Sequence, residues 1–220
     1  MIKTEILKPS ADNQDKPLLQ RAAEIINRGG VVAFPTETVY ALGADAMNER
    51  AVQGVFHLKK RMSGKPVAIF LPKLQDLKRF VKEITPSASK LIKEFWPGPL
   101  TLIFKSKPGQ MTYLTGKEGK LGVRVSSSKF VQSLLIETGT PLTATSANLA
   151  GKPEPVSAEQ VLSYFDGKID LVINGGHSYS ATPSSVVDVS EEIPILLREG
   201  RIPYEKLRKI VPELKRKNKK

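Results

Sequence analysis

The sequence predicts a single α/β domain built on a largely mixed β-sheet. Two observations carry that prediction. Segments with helical apolar spacing alternate with short β-branched apolar runs, and the two kinds do not segregate along the chain. No internal repeat and no long linker divides the 220 residues, a length that suits one well-packed domain.

The elements follow in order. Thr4 to Leu7 reads as a short first strand. Pro17 opens an amphipathic helix, because Leu18, Ala22 and Ile25 and then Leu19, Ala23 and Ile26 fall at helical spacing, and Gly29-Gly30 ends it. Val31 to Phe34 is a buried strand. Asn48 caps a second helix with the apolar stripe Ala51, Val52, Val55 and Phe56. Val67 to Leu71 is another buried strand. Pro86 to Phe95 is helical and stops at the breaker Trp96-Pro-Gly-Pro99. Leu100 to Phe104 and Leu121 to Val125 read as strands. Ser128 caps a helix through Glu137, and Pro141 to Ala144 is a short strand entering a loop. Ser157 caps a helix through Phe165, with Glu159 in its first turn. Leu171 to Ile173, Ser185 to Val189 and Ile195 to Leu197 are strands, and a last helix starts at Pro203 and ends near Val211. Residues 1–211 then form the domain, and 212–220 a basic, solvated tail.

Composition narrows the chemistry. Hydrophobic residues are 40% and charged residues 25%, ordinary for a soluble protein. The absence of cysteine excludes disulfides, thiolate metal sites and a cysteine nucleophile. The start, MIKTEILKPSADNQ, has no apolar core of a signal peptide, and no apolar run approaches the roughly 18 residues that span a bilayer, so a cytoplasmic protein without a membrane partner is expected. The net charge of +12 favours anionic partners such as nucleotides or nucleic acid. Gly-Lys occurs five times and is never followed by Ser or Thr, so there is no Walker-type phosphate loop. The two histidines, His57 and His177, belong to no metalloprotease motif.

Six segments place polar groups at strand ends. Pro35-Thr-Glu-Thr-Val-Tyr-Ala-Leu-Gly43 follows a buried strand, at the edge where ligands bind in open α/β sheets. Thr36 and Thr38 can bond a small polar ligand there, and Gly43 permits close backbone approach. Lys59, Arg61 and Lys65 gather on a turn, where they either complement a helix dipole or hold a triphosphate; the planar fork of Arg61 suits two phosphate oxygens. Arg124 lies inside the apolar run Leu121-Gly-Val-Arg-Val and needs a salt bridge, solvent or a ligand carboxylate. Ser146 and Asn148 sit two apart after a short strand, as phosphate or ribose donors or as an ordinary Asx turn. Gly175-Gly-His177 with Thr182-Pro-Ser184-Ser-Val-Val-Asp188, and Leu197-Arg198-Glu-Gly200, complete the set. None offers a nucleophile–base pair. The pooled chemistry is cationic and rich in hydroxyls, which suits phosphate electrostatics rather than covalent catalysis.

Taken together and in this order, Pro35-Thr-Glu-Thr-Val-Tyr, Lys59-x-Arg61, Lys65-Pro66, Trp96-Pro-Gly-Pro-Leu-Thr101, Gly122-Val-Arg124-Val, Ser146-Ala-Asn148, Ser184-Ser-Val-Val-Asp188 and Leu197-Arg198-x-Gly200 resemble the YrdC-like threonylcarbamoyl-adenylate synthases, over residues 18–203. Each piece is weak alone and the combination is specific. The resemblance implies a twisted mixed sheet with flanking helices around a large basic cavity. It implies a nucleotidyltransferase that converts L-threonine, bicarbonate and ATP, with magnesium or another divalent ion, into threonylcarbamoyl-AMP and pyrophosphate. The product would pass to a transferase that modifies tRNA, and tRNA itself is a possible contact. Carried over by position, Arg61, Lys65, Ser146 and Arg198 look like ATP contacts. Lys59 and Asn148 complete the Lys-x-Arg and Ser-x-Asn pairs grouped with catalysis. Thr36, Arg124, Ala144 and Ser184 look like the threonine pocket, with Thr38 an alternative to Thr36. No residue is assigned to metal. Ala41 and Lys120 stand where the family usually has glycine and a hydroxyl residue. The alternatives are a non-catalytic module binding double-stranded RNA or tRNA, and a relative that carbamoylates another acceptor. The low aromatic content of 6% speaks against the first.

Overall fold

The computed structural model describes residues 3–10, 16–60, 67–116, 118–178 and 180–217. Its first half runs β1 (Glu5–Leu7), α1 (Lys16–Asn27), β2 (Val32–Phe34), β3 (Ala41–Gly43), α2 (Glu49–Leu58), β4 (Ala68–Phe70), α3 (Leu77–Phe80), α4 (Pro86–Phe95) and β5 (Leu100–Lys105). The second half runs α5 (Thr112–Thr115), β6 (Lys120–Arg124), α6 (Lys129–Thr138), β7 (Leu142–Ser146), α7 (Ala158–Phe165), β8 (Leu171–Ile173), β9 (Ser185–Asp188), β10 (Ile195–Arg198), α8 (Tyr204–Ile210) and β11 (Lys215–Arg216). The strands join in one twisted mixed sheet, ordered β1-β8-β2-β3-β7-β4-β6-β5-β9-β10-β11. The pairs β1–β8, β2–β8, β4–β6, β5–β9 and β10–β11 are parallel, and the rest are antiparallel.

Local chemistry explains the boundaries. The side chains of Asn48, Ser128 and Ser157 accept from Ala51 N, Val131 N and Gln160 N at the starts of α2, α6 and α7, as the sequence predicts. Thr85 does the same for α4, with Pro86 at the first helical position, where its missing N–H costs nothing. Side-chain alternation then sends each strand to two layers. Val32 and Phe34 pack with Leu18, Ile26 and Leu134 of α1 and α6, whereas Ala33 packs with Val55, Val161 and Phe165 of α2 and α7. Ile69, Leu102 and Val123 meet Leu91 of α4 and Leu207 of α8 in a third cluster.

Several elements differ from the sequence reading. Ala41–Gly43 is a strand, antiparallel to β2. Gly43 is required there by Phe34, since a Cβ at 43 would stand 2.4 Å from the Phe34 ring; the close approach is to the core and not to a ligand. β7 continues past Ala144 to Ser146. The one-turn helices α3 and α5 are additional. The tail expected from 212 is packed as far as it is described. Leu214 is 2% exposed, Ser87 Oγ donates to Glu213 at 2.7 Å, and Lys215 pairs with Ile195 in β11. The domain therefore extends past 211. No helix among the described residues is long and apolar enough to cross a membrane.

Candidate active site

A cavity of about 650 Å³ opens over the central strands. Its walls are Thr36 and residues 38–41 from the end of β2 into β3, Ala68 and Phe70 of β4, Thr101 and Ile103 of β5, Gly122 and Arg124 of β6, Lys59 and Lys60 after α2, the end of β7 with its following loop to Glu154, and Ser184, Val186, Leu197 and Arg198 of β9 and β10. Thr36, Thr38, Lys59, Arg124, Ala144, Ser146, Asn148, Ser184 and Arg198 all lie on these walls. Arg61 and Lys65 fall outside the described residues.

The first wall is a buried relay. Arg124 is 5% exposed, and its Nη1 and Nη2 both donate to Thr38 Oγ1 at 3.2 Å. Nε donates to the Gly98 carbonyl at 3.2 Å, and Nη2 also meets Glu37 Oε1 at 2.8 Å. Thr36 Oγ1 donates to the Val39 carbonyl at 2.8 Å, so the 2.9 Å contact between the two threonine hydroxyls is donated by Thr38. Thr38 thus touches the arginine, and Thr36 stands behind it. Glu37 is 9% exposed; its Oε2 accepts from the Ser126 hydroxyl and its Oε1 from Ser127 N at 3.0 Å. Burial pushes the Glu37 carboxyl up, but the charge of Arg124 and the Ser126, Arg124 and Ser127 donors outweigh it and hold it below its ordinary value.

The second wall is a closed loop. Lys59 is 3% exposed, and its Nζ donates to the carbonyls of Ser146 and Asn148 and to Asn148 Oδ1. Ser146 Oγ donates to the same Oδ1 at 2.7 Å, and Asn148 Nδ2 donates to the Lys152 carbonyl. Lys59 and Asn148 therefore shape the backbone that presents Ser146. Ala41 pairs with Ser146 across β3 and β7.

The third wall carries Arg198. Its Nε and Nη2 donate to the Ser184 carbonyl at 3.1 and 3.0 Å, while Nη1 lies 3.6 Å from Glu154 on the β7 loop. Ser184 Oγ shares a 3.0 Å hydrogen bond with Thr101. Gly200 permits this wall, since a Cβ there would lie 2.4 Å from the Pro183 carbonyl. Lys120 is paired with Asp188 at 2.9 Å. Neither histidine lines the cavity. Among the described residues no group of three or more His, Asp or Glu side chains is arranged to hold a metal ion.

Sequence reasoning did not single out Glu37, Glu154 or Thr101 as site residues. The signal for Glu37 was present: a buried arginine in an apolar strand needs an anion, and an acid sits between the two threonines.

Fold and site define an α/β domain with a cleft over its central strands, lined by guanidinium, ammonium and hydroxyl groups. The family model described as "Telomere recombination", that of the Sua5, YciO and YrdC proteins, matches residues 24–200, and the chain belongs to this family. A threonylcarbamoyl-AMP synthase of Pyrococcus abyssi is 40% identical over 194 residues, 88% of this chain and 57% of the relative. One of Bacillus subtilis is 36% identical over 196 residues, 89% of this chain and 57% of the relative. The crystal structure of P. abyssi Sua5 complexed with L-threonine superposes with a TM-score of 0.90 at 36% identity, covering 97% of this chain and 62% of that one. The chain thus spans a little over half the length of these two synthases.

Proposed function

We propose that this chain is an L-threonylcarbamoyladenylate synthase, a nucleotidyltransferase serving tRNA threonylcarbamoyladenosine modification. The observation that carries the reading is the convergence of Arg124, Ser146, Ser184 and Arg198 on one cavity. The names of the relatives and the threonine-bound structure support it.

In this reading the threonine amine condenses with bicarbonate, a C–N bond forming as a C–O bond breaks and water leaves, which gives an N-carboxylate. One carboxylate oxygen bonds to the α-phosphorus of ATP as the bond to the β-phosphate oxygen breaks, releasing pyrophosphate. The substrate supplies its own nucleophile, so the protein positions the reactants and neutralises charge. Arg124 pairs with the threonine carboxylate; Thr36 or Thr38, Ala144 and Ser184 surround its amine and side chain. Ser146, Arg198, Arg61 and Lys65 hold the triphosphate. The divalent ion enters as part of the metal–nucleotide substrate, its shell filled by phosphate and water.

The test is pyrophosphate release measured with each reactant omitted in turn. Release is expected only with ATP, a divalent metal, bicarbonate and threonine together. Equal ATP turnover with and without threonine overturns the assignment. Serine is expected to be poorer, because a pocket packing the threonine methyl loses about 1–3 kcal/mol without it.

A further inference from the structure

We infer that Glu37 is a positioning residue that aims the Arg124 guanidinium at the cavity; the inference rests on the threonine-site reading above and adds to it a residue that touches no ligand.

The argument is one of donor capacity. A guanidinium has five N–H donors in a rigid plane. In Arg124, Nε donates to the Gly98 carbonyl and both terminal nitrogens donate to Thr38, while Nη2 is also ion-paired with Glu37 at 2.8 Å. The second Nη1 hydrogen has no acceptor among the described residues, and Arg124 lines the cavity. The face of the Phe70 ring, 5.6 Å from the guanidinium carbon, restricts tilting of the plane. Gly98 and Thr38 alone still allow the plane to pivot about them, since both Thr38 contacts converge on one oxygen. The Glu37 contact on the outer edge of Nη2 removes that freedom and leaves Nη1 as the group presented to a ligand carboxylate.

Glu37 is itself locked. Ser126 and Ser127 bond its carboxylate from the turn after β6, the strand that carries Arg124. Its main-chain carbonyl accepts from Arg201 Nη1, just beyond β10. A buried carboxylate with this many donors is a rigid anvil, and residue 37 ties the segment between β2 and β3 to the turn after β6 and to the chain just beyond β10.

Steady-state kinetics of Glu37→Gln, with threonine and ATP varied separately, test the inference, together with nitrogen-15 NMR of the arginine side chains. The glutamine keeps shape and acceptor but loses the charge-assisted bond. The threonine KM is expected to rise about tenfold or more, with the ATP KM within about twofold of wild type. The Arg124 Nε signal, assigned by its loss in Arg124→Lys, is expected to be sharp in the wild type and broadened in Glu37→Gln. A purely structural role would lower the amount of active protein and leave both KM values unmoved. An unchanged threonine KM in a folded variant, or an unchanged Arg124 signal, overturns the positioning role. A wild type without threonine-dependent pyrophosphate release overturns the functional reading instead, and the NMR comparison still decides whether Glu37 orders Arg124.

Discussion

Lys59 donates through Nζ to the Asn148 carbonyl at 2.8 Å and to the Asn148 side-chain oxygen at 3.2 Å. The Ser146 carbonyl is a third acceptor of the same ammonium group, in a residue that is 3% exposed. The lysine is therefore part of the wall that presents Ser146. Lys59→Met is expected to lower the unfolding free energy by about 2–3 kcal/mol, because it strands buried carbonyls that held charge-assisted bonds. Urea denaturation checks this. A loss under about 0.5 kcal/mol would return Lys59 to the role of a phosphate clamp, which costs affinity and not stability.

Glu37 predicts an acid limb in stability. Its folded carboxyl titrates below the ordinary value of 4.5, while the unfolded chain titrates near it. The contribution is thus complete above the unfolded value and is lost as pH falls through the folded one. Unfolding free energy measured between about pH 6 and about pH 3 should fall more shallowly in Glu37→Gln than in wild type. Parallel curves would show that the carboxylate is not preferentially ionised in the fold.

Tyr40 predicts the alkaline counterpart. Its hydroxyl donates to the Gly176 carbonyl at 2.6 Å, and burial, reinforced by Glu159 and opposed by the Gly175 backbone, pushes its pKa from 10.0 to about 12. The neutral form is favoured in the fold, so this stability is complete below 10 and disappears as pH rises toward 12. In an ultraviolet titration of the five tyrosines, Tyr40→Phe should remove a component that ionises late. Loss of an early component instead would mean that the phenol is solvated. The raised value also leaves the phenol protonated at neutral pH, so a base role does not fit this cavity residue.

The parts of the fold that were legible in the sequence had a pattern long enough to read. Val31 to Phe34 is an apolar run bounded by glycine and proline, and α2, α6 and α7 carry side-chain caps. Ala41–Gly43 was not legible, since three small or mixed residues show no alternation, and Phe34 fills the space that makes Gly43 necessary. α3 and α5 are four residues each, too short for helical periodicity. β11 is a Lys-Arg pair, which in sequence looks like a solvated run. At the site, strand-end position made Arg124, Ser146, Ser184 and Arg198 visible one by one. Their partners were not visible, because Glu37 and Arg124 lie 87 positions apart in the sequence and meet only once β2 and β6 share a sheet.

The C-terminal segment supplies a prediction opposite to its composition. Leu214 is 2% exposed, its carbonyl accepts from Tyr204 Oη at 3.0 Å, and the Arg216 guanidinium lies 4.3 Å from the Tyr204 ring centre. Truncation after Val211 removes all three. Burying one leucine is worth about 1.5–3 kcal/mol, so the truncated chain should melt at a clearly lower temperature. Leu214→Ala should reproduce most of the loss, by about 2–5 kcal/mol. An unchanged melting temperature in both would show that the segment is held too weakly to matter.

Arg198 separates stability from catalysis in the other direction. Its side chain is 46% exposed, and its Glu154 contact spans 3.6 Å, so removing it should change stability by less than about 1 kcal/mol. Its Nε and Nη2 bonds to the Ser184 carbonyl fix the guanidinium against β9, and only Nη1 faces an anion, the Glu154 carboxylate. In the nucleotide-binding reading proposed above, a phosphate oxygen would compete with that carboxylate for Nη1. Arg198→Ala is therefore expected to reduce pyrophosphate release by about 100-fold or more at unchanged stability, through lost charge-assisted stabilisation in a partly dry cleft. Glu154→Gln should act in the opposite sense on binding, lowering the ATP KM by removing the competing carboxylate. Both are read from initial rates over a range of ATP concentrations, with melting curves as the control for folding. If Arg198→Ala retains a rate within about threefold of wild type, Arg198 braces β9 against the loop and does not meet the nucleotide.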